Sequence, residues 1–365
     1  MVASEAKLLS DRGHAVRLYQ RTNDEIESSG RVADGIQAMW SRRTVREIGG
    51  LIRESRPDLI HVHNTWPLIS PSIYWLASKV GIPIVQTLHN YRVSCLQAMF
   101  SRDGRICEDC LGGLPWRGVV RRCYRQSFTQ SAALAASVSA HRMIGTYTNH
   151  VSRFIALTEF AKAKYVAGGL APERIMVKPN FADVEPPGDG ARAGLLFVGR
   201  LSAEKGIELL VKMLGQIPEA YLDVIGAGPL EGALAGHPRV RLHGWQSEAY
   251  IHAAMRKAAL LLMPSTVYEN LPRTLVEAYG NALPVVAGKL GSMPDLIEHG
   301  GTGFLYAYES PVALARTVSD ALANPERLQS MGRIARNVYE SKYTPEINYE
   351  TLTSIYRAAI DVGKS

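Results

Sequence analysis

An alternation of short apolar runs with amphipathic helical patterns, begun twice, constrains this chain more than any other feature. In the first half, residues 15–20, 59–62, 82–88 and 154–158 read as strands. Helical spacing fills 2–13, 38–55, 70–81, 127–145 and 159–168 around them. A Pro- and Gly-rich run, 185–194, then interrupts the pattern. Beyond it strands are expected at 195–199, 220–226, 240–244, 260–263 and 283–287. Helices are expected at 205–214, 229–235 and 247–258, and three more, 311–323, 325–341 and 346–361, close the chain. Strands separated by helices pair in parallel and are covered on both faces. The expectation is α/β: two doubly wound, Rossmann-like domains facing a cleft. Residues 1–184 would form the first, 185–194 the linker and 195–343 the second, with 344–365 a helix returning toward the first.

No apolar run nears the roughly 20 residues of a membrane helix, and no signal-peptide pattern opens the chain. The expected location is cytoplasmic, with room for peripheral contact on the inner face of a membrane. A net charge of +7 favours acidic partners such as nucleotide phosphates or anionic headgroups.

The stretch from Pro264 to Gly303 carries the densest chemistry. It reads as strand, loop, helix, strand, with Glu269 and Glu277 eight positions apart. Pro272 suits the first helical position, where a missing N–H costs nothing. The N–H groups of Arg273, Thr274 and Leu275 would then point out of the helix end, where an anion is favoured. One short helix could hold a phosphate at its tip and sugar hydroxyls at the Glu277 carboxylate. The plainer alternative is a capped surface helix with two solvated acids. A second loop, Gly199 to Gly206, sits at a strand-to-helix junction and offers Arg200 and Lys205 to phosphate oxygens. Gly226 and Gly228 mark another strand end where backbone could approach a ligand closely.

In order along the chain these elements resemble glycosyltransferase family 4, retaining enzymes of GT-B architecture. The matching segments are FVGRLSAEKGIELLV, VIGAGP, LLLMPS, YENLPRTLVEA and LPVVAGKLGSMPDLIEHGGTGFL in the second half, and PDLIHVHN, IPIVQTLHNYR and FIALTEFAK in the first. The resemblance implies transfer of a sugar from a UDP-, GDP- or ADP-linked donor to a glycan or lipid-linked glycan, in cell-surface polysaccharide or glycolipid assembly. Arg200 and Lys205 would neutralise the donor diphosphate, Glu277 would bind the ribose and Glu269 the transferred sugar. Gly199, Gly226, Gly228, Asn270, Leu271, Arg273, Thr274 and Leu275 would line the donor. His89, at a strand tip of the first domain, would face the sugar across the cleft. No metal is implied for catalysis.

Two features depart from the family pattern. The sequence opens inside the first helix, so the first strand of the N-terminal domain is expected to be absent. And Cys95, Cys107, Cys110 and Cys123 lie in an arginine-rich insertion, 91–126, without regular periodicity. Their spacing is compatible with a structural zinc, a redox pair, an iron–sulfur cluster or four unconnected thiols. Its arginines could meet a phosphate-bearing acceptor. Two other readings are a non-catalytic GT-B-like protein and a zinc-stabilised nucleic-acid binder. The second leaves the donor constellation unexplained, and no nucleic acid is expected.

Overall fold

The computed structural model describes residues 1–22, 38–188 and 190–362. The chain divides into two compact units, one of Met1–Phe100, Cys107–Lys178 and Tyr349–Ser365, the other of Ser101–Ile106 and Pro179–Asn348.

The first unit is built on a four-stranded, all-parallel sheet. Its strands are β1 (Ile60–Val62), β2 (Ile84–Thr87), β5 (Arg153–Ala156) and β6 (Ile175–Val177), in the order β1-β2-β5-β6. Helices α1 (Val2–Asp11), α2 (Arg42–Ser55), α3 (Ser72–Lys79), α5 (Phe128–Met143), α6 (Thr146–His150) and α7 (Glu159–Ala167) connect and cover them. Ser41 and Thr158 start α2 and α7 by accepting the third residue's N–H, at 3.2 and 3.1 Å. The final helix, α14 (Pro345–Val362), sends Leu352, Ile355 and Ala359 into a core with Leu9, Val85 and Ile155.

Residues 15–20 differ from expectation: they form no strand. Their composition suits one, but among the described residues β1 is the edge of the sheet and pairs with β2 alone. A strand pattern without a ladder partner gains no hydrogen bonds. Strand β6 lies outside every run expected to be a strand. The 91–126 region, expected to be irregular, contains a two-residue hairpin, β3 (Ser101–Arg102) with β4 (Arg105–Ile106), and the short helix α4 (Trp116–Val120).

The second unit carries six parallel strands. They are β7 (Leu195–Val198), β8 (Leu222–Ile225), β9 (Val240–Leu242), β10 (Leu260–Met263), β11 (Val285–Gly288) and β12 (Gly303–Tyr306). Their order, β12-β11-β10-β7-β8-β9, reverses direction between β7 and β10, which is the switch point of a doubly wound sheet. Helices α8 (Ile207–Leu214), α9 (Glu248–Lys257), α10 (Arg273–Gly280), α11 (Met293–Leu296), α12 (Pro311–Leu322) and α13 (Pro325–Lys342) complete it. Residues 229–235 hold only a single 3-10 turn, Glu231–Ala233. The core runs from Leu195, Phe197 and Leu260 on the strands to Leu210, Leu314 and Met331 on the helices.

The expected boundary also shifts. Pro179 to Val184 belongs with the second unit: Asn180 donates to the Leu271 carbonyl at 2.9 Å, and the Val184 N–H donates to the Tyr339 hydroxyl at 3.0 Å. The Pro- and Gly-rich run therefore lies inside that unit.

Candidate functional site

The switch point of the second sheet opens between the loops that follow β7 and β10. Gly206 brings these two loops together, and Gly226 and Gly228 bring the loop after β8 against the loop after β7. Gly206 has φ +75°, and a Cβ there would lie 2.1 Å from the Pro264 carbonyl oxygen. A Cβ on Gly226 would meet the Gly199 carbonyl oxygen at 1.9 Å, and one on Gly228 the Leu201 carbonyl oxygen at 2.4 Å. These three positions exclude side chains because neighbouring backbone already fills the space. At Gly226 and Gly228 the close approach is therefore to the loop after β7.

The clamped loops set Lys205 against Glu269. The ammonium donates to Oε1 at 2.5 Å, and the Ser265 hydroxyl donates to the same oxygen at 2.7 Å. The Ser292 hydroxyl fixes the Glu269 carbonyl at 2.6 Å. Lys205 keeps 31% of its side chain exposed and Glu269 15%, so the pair is open to ligand from one side. Arg200 is exposed on the same loop.

Helix α10 starts one residue later than expected. Pro272 is its N-cap, with ψ 127°, rather than its first helical residue. The Leu275 N–H already donates to the Pro272 carbonyl at 3.1 Å, so it is not one of the outward-pointing groups. Asn270 and Leu271 are buried just before the helix.

Glu277 is 7% exposed. Burial raises its carboxyl above the usual range, against the pull of the Arg273 guanidinium one turn earlier. Arg273 Nε lies 2.8 Å from Glu277 Oε1, and the other side of the guanidinium binds Glu248 on α9. His252 stands behind, with Nε2 3.8 Å from Glu248. Asn281 Nδ2 donates to His252 Nδ1 at 2.8 Å, which leaves the imidazole proton on Nε2. Ligand atoms of Glu248, His252 and Glu277 lie within 4.8 Å of one another, but the guanidinium already provides the cation between the two carboxylates. Sequence reading missed Glu248, His252 and Asn281. The Arg273-to-Glu277 spacing of one helical turn was the available signal.

In the first unit His89 follows β2. Its Nε2 lies 2.8 Å from Nδ1 of His63, which follows β1. The two rings stack, with centroids 5.1 Å apart. His61 spends both nitrogens on neighbours, Nδ1 on the Tyr356 hydroxyl at 2.7 Å and Nε2 on the Thr87 hydroxyl at 2.8 Å. Beneath them Glu5 of α1 takes the Lys178 ammonium at 2.7 Å, with both side chains almost fully buried. Burial opposes ionisation of Glu5, yet Lys178, with His61 and His63, brings its carboxyl down to about 2. Burial also holds His63 down at about 4 and lowers His61 and His89. A cavity of about 480 Å³ opens over this group, lined among others by His63, His89, Asn64, Asn90, Trp66 and Arg92.

The four cysteines are half-buried and free of disulfides. Burial raises the Cys110 thiol, with Cys95 and Cys107 near enough to add to the rise. Among the described residues no three of these sulfurs come within 4.8 Å of one another. The insertion's arginines are partly committed: Arg121 pairs with Asp109, and Arg92 stacks 5.2 Å over the Tyr124 ring.

A doubly wound sheet with cations and carboxylates gathered at its switch point offers a place for an anionic ligand. Two family models match the chain: "Glycosyl transferase 4-like domain" over residues 1–180 and "Glycosyl transferases group 1" over residues 192–324. The chain belongs to the family 4 type of GT-B glycosyltransferases. It is 33% identical over 163 residues to the sulfoquinovosyl transferase SQD2 of Arabidopsis thaliana, a match spanning 42% of this chain and 31% of that protein. Against the D-inositol 3-phosphate glycosyltransferase of Segniliparus rotundus it is 26% identical over 349 residues, 86% of this chain and 70% of the relative. Among solved structures, Anabaena Alr3699/HepE in complex with UDP superposes with a TM-score of 0.63 at 20% identity, over 85% of this chain and 82% of the other. Sucrose-phosphate synthase from Thermosynechococcus elongatus gives 0.72 at 16% identity, over 99% and 93%. Among the described residues no helix is long and apolar enough to cross a membrane.

Proposed function

We propose that this glycosyltransferase moves a sugar from a nucleoside-diphosphate donor to a hydroxyl of a glycan or lipid-linked glycan, with retention of anomeric configuration. The Lys205–Glu269 pair on glycine-clamped loops at the switch point carries this reading. Arg200 and Lys205 meet the donor diphosphate and stabilise the charge that builds on it as the glycosidic bond breaks. Lys205 exchanges Glu269 for phosphate, which frees the carboxylate to accept hydroxyls of the transferred sugar. Glu277 accepts the ribose hydroxyls, and its burial makes each such bond stronger than in water. His89 offers a group for a sugar hydroxyl at the first unit's own cavity. The UDP-bound relative supports a nucleotide donor. A thermal-shift panel of UDP-, GDP- and ADP-sugars tests the reading, with one series expected to raise Tm. No shift with any of the three, and no transfer or donor hydrolysis, would return the chain to a non-catalytic role. Proton NMR of the product reads the anomer, and inversion would remove the retaining assignment.

Two further parts of this proposal concern the insertion. Leu114, Trp116 and Val120 are each more than half exposed on or beside α4, and the Arg117 guanidinium sits 5.4 Å over the Trp116 ring. Apolar side chains beside arginines suit the face of an anionic membrane that carries the acceptor. Sedimentation with phosphatidylglycerol vesicles checks this, and equal recovery in the supernatant with and without vesicles would end it. The four cysteines would hold a structural zinc once their sulfurs draw together. Elemental analysis of purified protein with thiol titration decides: no zinc and four freely titrating thiols would leave them unconnected.

A further inference from the structure

We infer that Glu5 and His63 are positioning residues that hold His89 with Nδ1 unprotonated, so that the first unit presents a hydrogen-bond acceptor to a sugar hydroxyl. The inference rests on the glycosyl-transfer reading for the identity of the ligand. The tautomer itself follows from the geometry.

At 2.8 Å, a single proton lies between His63 Nδ1 and His89 Nε2. Which ring donates decides what the other edge of His89 offers. Glu5 makes that choice. Its Oε2 is buried, makes no hydrogen bond, and lies 3.7 Å from His63 Nε2. The other carboxylate oxygen is held by Lys178, which keeps the group ionised. A bare lone pair on His63 Nε2 would point at this anion, whereas an N–H there points a positive end at it. The proton of neutral His63 therefore sits on Nε2, and its Nδ1 accepts. His89 must then donate through Nε2, and a neutral imidazole with its proton on Nε2 has a free lone pair on Nδ1.

The surroundings keep these rings neutral. The groups facing them are Glu5, Lys178, the Met1 amine and the three imidazoles themselves. Burial is the largest influence on His63 and His89 and depresses both, so neither carries a second proton at neutral pH. His61 does not compete, because both its nitrogens are engaged. Ligand atoms of Glu5, His61 and His63 also approach within 4.8 Å, but the Lys178 ammonium fills the cation's place at Glu5. His63 and His89 both line the 480 Å³ cavity, which has the volume for a hexose and the aromatic wall of Trp66 to receive one.

The test is nitrogen-resolved imidazole NMR on the full chain at pH 7. His89 should show an unprotonated Nδ1 and a protonated Nε2, and the reverse pattern would overturn the inference. Glu5→Gln removes the Glu5 charge from beside the buried Lys178 and risks unfolding, so the decisive variants are at His63. His63→Asn places a side-chain oxygen where Nδ1 stood and should preserve both the tautomer and most of the turnover. His63→Leu should lose the tautomer preference and lower kcat by about 10- to 100-fold, as for lost partners of oriented histidines elsewhere. Equal turnover in the two variants would overturn the positioning role. Because the spectra need no turnover, they decide the tautomer even if every donor in the panel fails. That failure would count against the glycosyl-transfer reading alone.

Discussion

One lysine–glutamate pair in each unit, buried in the first and half-buried in the second, invites comparison, and the two are built for opposite ends. Lys178 and Glu5 are 2% and 5% exposed and join a helix to a strand end 173 residues apart. Lys205 and Glu269 are 31% and 15% exposed, on adjacent loops at a switch point. The first pair neutralises itself where water cannot reach, so neither partner can be exchanged. The second remains in contact with solvent, and either partner can be traded for a ligand group at small cost. Burial thus separates a structural pair from the one proposed to bind ligand, although the residue types are the same.

Lys178→Met should break the comparison most severely. It leaves the Glu5 carboxylate buried and uncompensated, a loss of about 3–5 kcal/mol. Urea unfolding should show it, whereas Lys205→Met should cost less, about 1 kcal/mol, because this pair keeps contact with solvent. Equal losses from the two would erase the distinction.

Activity should rank the lysines the other way. Lys205→Ala is expected to lower turnover about 10²- to 10³-fold, the usual result of removing one group aimed at developing charge. Retained turnover would remove Lys205 from the site.

Acid should distinguish the units next. His63 is ionised less readily in the fold than in the unfolded chain, where its value is 6.5, so its contribution to stability is complete above about 6.5 and lost as pH falls to about 4. That displacement corresponds to roughly 3 kcal/mol at the low-pH end. Glu5 adds to the loss lower still, between its unfolded value and about 2. Hydrogen exchange should therefore show the first unit opening below about pH 6, and equal acid sensitivity in both units would contradict this.

The smallest effect belongs to Arg273. Burial already raises Glu277, and removing the guanidinium raises it further. Arg273→Ala should weaken donor binding about tenfold, or roughly 1.4 kcal/mol, and more at pH 6 than at pH 8. A KM independent of both the substitution and pH would release Glu277 from the ribose role.

The alternation of strands and helices, the two-unit division and the strand–loop–helix–strand order around Glu269 and Glu277 were legible because each is written in local spacing. Residues 15–20 misled for the converse reason: strand composition is local, but a strand requires a neighbour. The Glu5–Lys178–His63–His89 group was illegible because its members come from four separate elements, and no local pattern records which of them meet. Gly226 and Gly228 were legible as close approaches, but the nearby carbonyls of Gly199 and Leu201 are visible only in three dimensions.

The route of the last helix has a consequence for how the protein is made. Leu352, Ile355 and Ala359 complete a core that otherwise consists of residues before 160, such as Leu9, Val85 and Ile155. The first unit therefore cannot close its core until α14 has been synthesised. Its sheet waits, partly uncovered, until that helix leaves the ribosome, while the second unit, ending at Asn348, can finish first. The order of folding is then the reverse of the order of synthesis.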